Sequence, residues 1–360
     1  MILDRRFSIF DWLSKRKKKT LSIQLRHSHC RNRKSKIQNL KWAVLASALL
    51  TSVSLAQAQH PGKVHRIGFL RASAPPKAYI EGLRQGLREF GYTEGKNITI
   101  DYRSAEGEAD RLAELAADLV DLKVDIIVAS GTNAVQAAKD ATSRIPIVIA
   151  SVGDPVREGL VADLARPGGN ITGVTNLSAE LGGKRLELLK EIVPRLARVA
   201  LPAPKSLVNE AYFKETEVPA RALGIQLIPL WFRRDQNFEI TFRSATKERA
   251  DALLVRLLPA TTSTQRNWIV DFSVKSRLPA LYEAGDWVES GGLISYGVSQ
   301  PEIFRRAASF VDRILKGAKP AELPVERPTK FEMVINLKTA KQIGVTIPQS
   351  VLYRADKVIK

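Results

Sequence analysis

Four short β-branched runs begin at Arg198, Ile225, Ala252 and Pro279, so their starts recur every 27 residues. A strand with its return helix takes roughly 30 residues in a right-handed βαβ unit, so this period specifies a parallel sheet with crossover helices. An earlier set, Val64–Leu70, Asn97–Tyr102, Asp125–Ala129 and Pro146–Ala150, reads the same way. Between the runs the apolar spacing is helical. Ile80, Leu83, Leu87 and Phe90 form one stripe, Leu112, Leu115, Ala116 and Leu119 a second, and Ile303, Ala307, Phe310, Val311 and Ile314 a third. Three turn-rich stretches interrupt the pattern: Arg166 to Gly173, Ser290-Gly291-Gly292, and the proline-spaced segment from Lys319 to Pro328. The expectation is an α/β protein of two doubly wound parallel-sheet lobes.

Chemistry narrows next. The sole cysteine, Cys30, and the four histidines, His27, His29, His60 and His65, all fall in the first 65 of 360 residues. Zinc sites of Cys and His, Cys-His or Ser-His-Asp nucleophiles and disulfides are therefore excluded from the body. An enzyme would have to work with Asp154 or Glu283 as its base, without thiol or imidazole. The body reads as a binder, with no catalytic residue, metal or cofactor expected.

The net charge of +19 is unevenly placed. Residues 1–41 hold 13 Lys or Arg against Asp4 and Asp11, whereas everything after residue 58 carries only +8. With the excess confined to one end and no accompanying motif, nucleic-acid binding is not expected. The basic stretch leads into an uncharged run, Trp42 to Leu55, and then Ala56-Gln57-Ala58, the three parts of a secretory signal cut after Ala58. The run is shorter than the about 20 apolar residues a membrane span needs, although an uncleaved anchor is the alternative. A start nearer Lys36 would account for the long basic region. No cysteine follows the run, so a lipid anchor is not expected, and a periplasm is the expected home.

In open α/β sheets ligands bind beyond the carboxyl ends of the strands. In the first lobe these ends are Arg71–Pro76 (with Ser73), Arg103–Glu108, Ser130-Gly131-Thr132-Asn133, and Ser151 to Pro155, which includes Gly153, Asp154 and Pro155. The Ser130–Asn133 turn opens a helix, and either caps it or offers hydroxyls and free amides to an anion. Asp154 either pairs with a ligand ammonium group or caps the next segment. Neither G-x-G-x-x-G after the first strand nor a Walker A sequence occurs, which removes most support for a nucleotide. The second lobe's ends are Pro202–Lys205, Trp231–Asp235, Arg256–Thr262 and Tyr282–Trp287, with Trp231, Tyr282 and Trp287 able either to stack on a planar ligand or to pack. Asn176, Ser295 and Tyr296 complete the candidate set, Tyr282, Trp287 and Tyr296 as apolar walls.

From about Val64 to Lys360 the chain resembles the substrate-binding proteins of ABC importers, in the periplasmic type I group associated with tryptophan, tyrosine and other branched or aromatic compounds. The carriers are Tyr79 to Tyr92 with Glu94-Gly95-Lys96-Asn97, Asp125 to Ala129 with Gly131-Thr132, Val152 to Val156, and Leu164 to Gly173. Gly291 to Gly297 and Pro324 to Lys341 continue the likeness. Pro202-Ala203-Pro204 replaces an Asn-Pro turn of the family, and Leu257 to Thr262 lacks its aromatics. The resemblance implies a hinge of three crossovers, with 59–172 and 288–322 in one lobe and 173–287 and 323–360 in the other, the signal occupying 1–58. It also implies an interlobe cleft for a small amino-acid-like or aromatic carboxylate ligand. The expected partners are an inner-membrane permease and ATPase, the receptor itself a monomer. A sensor of the same fold without transport is the alternative.

Overall fold

The computed structural model describes residues 63–176, 181–205, 207–232, 238–256 and 261–360. The expected signal at 1–58 and its cleavage site lie outside the described residues, as do 233–235 and 257–260 of the expected second-lobe rim.

The first sheet is built from β1 (His65–Arg71), β2 (Ile98–Ser104), β3 (Ile126–Ser130), β4 (Ile147–Val152) and β5 (Ile171–Thr175), in the order β2-β1-β3-β4-β5 and parallel throughout. Helices α1 (Lys77–Glu89), α2 (Leu112–Asp121) and α3 (Thr132–Ala141) connect them. Strand alternation sorts the side chains onto two faces: Ile67, Phe69, Ile126 and Val128 pack in one apolar cluster, and Leu70, Ile127 and Ala129 in another. A sheet buried on both faces needs near-continuous apolar strands, which is why these runs lack the polar alternation of a surface strand.

The chain then builds the second lobe from α4 (Leu181–Ile192), β6 (Arg198–Pro204), α5 (Leu207–Ala222), β7 (Gln226–Phe232), α6 (Phe238–Lys247), β8 (Ala252–Val255), α7 (Ser263–Lys275), β9 (Ala280–Tyr282), α8 (Gly285–Glu289) and β10 (Ile294–Val298). It returns to the first lobe as α9 (Gln300–Leu315) and comes back as β11 (Phe331–Asn336), α10 (Leu337–Ile343), α11 (Gln349–Leu352) and β12 (Lys357–Ile359). The second sheet has seven strands in the order β12-β11-β10-β9-β8-β6-β7. It is parallel except where β11 runs antiparallel to β10. The expected α/β architecture of two parallel-sheet lobes is present, with β11 and β12 at one edge of the second sheet running against the other five strands.

The lobe boundaries differ from the expected ones. Residues 173–175 belong to β5 of the first sheet, and Ile294–Val298, expected in the first lobe, pairs in the second. The Gly-rich breaks mark turns and a conformationally unusual strand, not the crossings: Gly173 has φ +135° inside β5, where a Cβ would sit 2.4 Å from the Ile149 carbonyl oxygen. The crossings fall after Thr175, at Ser299 and between Glu326 and Phe331. The last lies beside the first, because Thr175 N–H donates to the Glu326 carbonyl and Glu326 N–H to that of Gly173 (both 2.9 Å).

Helix α9 covers the first sheet alongside α1. Its stripe of Ile303, Ala307, Phe310 and Val311 is buried as expected, whereas Phe90, expected to continue the α1 stripe, is 41% exposed. The helix has ended at Glu89 and Phe90 is its cap, so the helical period no longer aims it at the core. The two helices approach closely at Gly82 and Gly86. A Cβ on Gly86 would lie 2.3 Å from the Arg305 carbonyl oxygen and 2.7 Å from the Ala308 Cβ. Gly86→Val should therefore lower stability by about 1–3 kcal/mol through overpacking. A thermal melt reads this as a drop of several degrees, and an unchanged midpoint would contradict the contact.

Candidate functional site

The carboxyl ends of the strands of both lobes approach one another, and the polar side chains there come from each side. In the first lobe, the Arg71 guanidinium at the end of β1 donates to the carbonyls of Ser73 (3.2 Å) and Ala74 (3.0 Å) and lies over the Tyr79 ring. Burial pulls the Arg71 pKa below its ordinary value, although Tyr79 and Asp286 favour the charge. Ser73 and Ser130 are buried and Thr132 and Asn133 half-buried. Gly131, with φ +86°, lets the chain turn from β3 straight into α3. Its carbonyl accepts from Ala134 and Val135 N–H, both 3.1 Å.

The loop after β4 decides what this rim offers. Ser151 sits at φ +68° where the β4–β5 register shifts, and Asn176 N–H donates to the Val152 carbonyl (2.7 Å). Asp154 Oδ1 accepts the backbone N–H groups of Val156 (3.2 Å) and Arg157 (3.0 Å), and Oδ2 lies 3.7 Å from Arg157 Nε. Of the two readings left open for Asp154, the structure has the capping one. Pro155 is buried, its carbonyl accepting from Leu160 N–H (2.8 Å). Glu158, which the sequence did not single out, brings its carboxyl to this rim: Oε1 would be 3.6 Å from a Cβ on Gly153, and Thr132 lies near the carboxyl. Burial pushes the Glu158 pKa up, Asp154 adds to the rise, and Thr132 and the Arg256 charge from the second lobe oppose it.

Facing this rim, the second lobe holds a buried polar network. Arg185, on α4, is fully buried; Nη1 donates to Glu283 Oε1 (2.6 Å) and the Tyr212 hydroxyl (3.1 Å), and Nε to the Tyr296 carbonyl (2.8 Å). Burial disfavours its charge, yet Glu283 and Tyr212 keep the guanidinium above its ordinary pKa. Arg256, immediately after β8, stacks on the Tyr212 ring at 4.0 Å, donates to Asn209 Oδ1, and has Nε 3.6 Å from Glu283. Its place just past a strand end was a legible signal for this residue. Arg185, by contrast, sits mid-helix and carried none.

A second set of polar groups spans the lobes. Asp286 on α8 receives a hydrogen bond from Arg266 Nη1 (2.8 Å) and lies near Tyr79 of α1. Burial raises the Asp286 pKa, and Arg266, Tyr79 and Arg71 hold the rise in check. Nearer solvent, Arg157 Nη2 reaches Glu215 Oε1 of α5 at 2.8 Å.

Three expected cleft residues point elsewhere. Tyr282 is wholly buried, its hydroxyl 3.1 Å from Ser273 Oγ of α7, and it stacks on Trp287 at 5.2 Å inside the second lobe's core. Ser295 is the register partner of Tyr282 and shares its core-facing side. Strand parity, which the sequence alone did not register against the sheet, made walls of core residues. Tyr296 faces the other way, half-buried, its ring 6.3 Å from that of Phe331. Trp231 packs edge-on against Phe213 at 5.9 Å. Among the described residues no three His, Cys, Asp or Glu side chains form a metal-holding group.

Arg185→Met would leave Glu283 buried beside a weaker partner and should cost about 3–5 kcal/mol in urea unfolding. The double variant Arg185→Met/Glu283→Leu should regain part of that loss, since a buried pair replaced by apolar groups removes the orphaned charge. Equal losses in both would mean the network is not an ion pair.

Comparison with known proteins bears on the fold and the family. A curated relative, the tyrosine-binding protein of Clostridioides difficile (strain R20291), is 28% identical over 278 residues, 74% of this chain and 76% of its own length. A conserved domain protein from Vibrio cholerae superposes with a TM-score of 0.76 at 29% identity, covering 82% of this chain and all of that one. An ABC domain from Streptococcus pneumonia in complex with L-Trp gives 0.75 at 29% identity, covering 82% of this chain and 99% of that one. The family model for ABC transporter substrate binding proteins matches residues 72–359, so the chain belongs to that family.

Proposed function

We propose that this chain is the extracytoplasmic solute receptor of an ABC importer, which closes its two lobes on a small amino-acid-like or aromatic carboxylate ligand and presents the loaded form to a membrane permease and its ATPase. The observation that carries the reading is the character of the contact between the rims. Among the described residues, polar groups of the two lobes face one another, Arg157 pairing with Glu215 at 2.8 Å and Tyr79 lying near Asp286. An exposed pair such as Arg157–Glu215 is worth about 0–1 kcal/mol, so it does not hold the lobes shut. A ligand touching both rims supplies the differential affinity that shifts the population toward the closed form.

The tyrosine-binding relative and the L-Trp complex support an amino acid as the ligand class. On the first lobe, Ser130 to Asn133, Gly153 and Asn176 line the proposed site, with Ser73 and Pro155 behind them, and Tyr296 stands on the second. The family is one of binding proteins, and its membership supports a non-catalytic role.

Calorimetry with L-tyrosine, L-tryptophan and the branched amino acids should find one with a dissociation constant near micromolar, about −8 kcal/mol. Small-angle scattering at saturation should then show a smaller radius of gyration. No binding across the panel would overturn the ligand class, and an unchanged radius would overturn hinge closure. Deleting the gene should abolish high-affinity uptake of the bound amino acid by whole cells; undiminished uptake would favour the sensing role.

We further propose export by a signal cut after Ala58. Among the described residues no helix is long and apolar enough to cross a membrane. N-terminal sequencing of periplasmic material should begin at Gln59, and membrane-embedded protein that retains the Trp42–Leu55 run would refute cleavage.

A further inference from the structure

We propose that Glu158 and Arg256 are the head-group pair of the cleft, Glu158 receiving the α-ammonium group of a free amino acid and Arg256 its α-carboxylate. This rests on the amino-acid reading above and assigns its polarity. The expectation from sequence was a different arrangement, an anion on the Ser130–Asn133 turn and a cation near Asp154.

Two observations remove that arrangement. Asp154 already accepts two backbone N–H groups through Oδ1 and has Arg157 beside Oδ2. The opening of α3 already faces a carboxylate of this chain, because Thr132 lies close enough to Glu158 to influence its carboxyl. A second anion at that place would meet like charge.

Two further observations support the new one. Glu158 Oε2 is buried and has no hydrogen-bond partner among the described residues. A buried carboxylate oxygen without a donor is costly, and an ammonium group offers the charge-assisted hydrogen bond that satisfies it. Opposite, Arg256 is fixed by Asn209 and by the Tyr212 face, while its Nε hydrogen has no acceptor among the described residues. Glu283, the only carboxylate paired with it among the described residues, is 3.6 Å from Nε and already takes the shorter bond from Arg185, at 2.6 Å. One acid therefore serves two guanidinium groups, and Arg256 retains positive charge for a ligand carboxylate, which its planar fork can hold with two donors. Because Glu158 and Arg256 come from different lobes, a molecule carrying both charges bridges the cleft. One lacking either charge engages only one lobe.

The test is calorimetry of wild type, Glu158→Gln and Arg256→Met with L-tyrosine and L-tryptophan, their decarboxylated amines tyramine and tryptamine, and their deaminated acids 3-(4-hydroxyphenyl)propionate and indole-3-propionate. Wild type should bind the better amino acid at least about 10-fold more tightly than either of its analogues. Glu158→Gln should weaken the amino acid about 10- to 100-fold and leave the deaminated acid unchanged; Arg256→Met should weaken it similarly and leave the amine unchanged. Thermal melts establish that both variants are folded, and the analogue series on wild type needs no substitution at all. Amino-acid binding undiminished in Glu158→Gln or Arg256→Met, or an analogue bound as tightly as its parent, overturns the pair while the amino-acid reading stands. Failure of wild type to bind either amino acid refutes the aromatic amino-acid ligand and the pair together.

Discussion

The organisation of the cleft depends on one buried ion pair. Arg185 enters the second lobe on its first helix and meets Glu283 at the end of β9, with the Tyr212 hydroxyl and the Tyr296 carbonyl completing its shell. A charge in so dry a place is tolerated only when its partners are held in good geometry, and the backbone around it is correspondingly tight. Gly297 has to be glycine for this reason: a Cβ there would fall 1.9 Å from the Glu283 carbonyl oxygen and 3.4 Å from Arg185 Nη2. The pair thus links α4, β9, β10 and α5 into one rim. Arg256 then stacks on Tyr212 at its edge, aligned by groups that the ion pair has already set in place.

The hinge follows from where the chain crosses. The segment around Glu326 is hydrogen-bonded to β5, and Thr172 Oγ1 donates to the Leu323 carbonyl at 2.7 Å, so two of the crossings run side by side. Adjacent hydrogen-bonded strands bend together but resist sliding, which suits opening about an axis near them. Across the rims Arg157 and Glu215 form an exposed polar pair, which water can replace.

Glu158 and Asp154 show how chain length selects a role. Both stand on the loop after β4 and both are acids. The short side chain of Asp154 reaches back to its own turn's amides, as Asx residues do, and is consumed there. Glu158, one methylene longer and four residues on, extends past Gly153 toward Thr132, where burial raises its pKa and a nearby cation would favour its charged form.

Periodicity in the sequence was enough for the two sheets and their covering helices, because strand spacing and apolar stripes are local properties of the chain. The family was legible from long motifs such as Leu164 to Gly173 and Pro324 to Lys341. What sequence did not determine was which face each rim residue takes. Tyr282 and Trp287 read as walls and Ser295 as a cleft residue, but all three lie in the core, and β10 changed lobes, because facing and sheet membership depend on register with a strand distant in sequence. Arg185 and Glu283, 98 residues apart, become an ion pair only when α4 packs on the sheet. Local pattern sets the elements, whereas the cleft is made where their ends converge, and only tertiary packing brings those ends together.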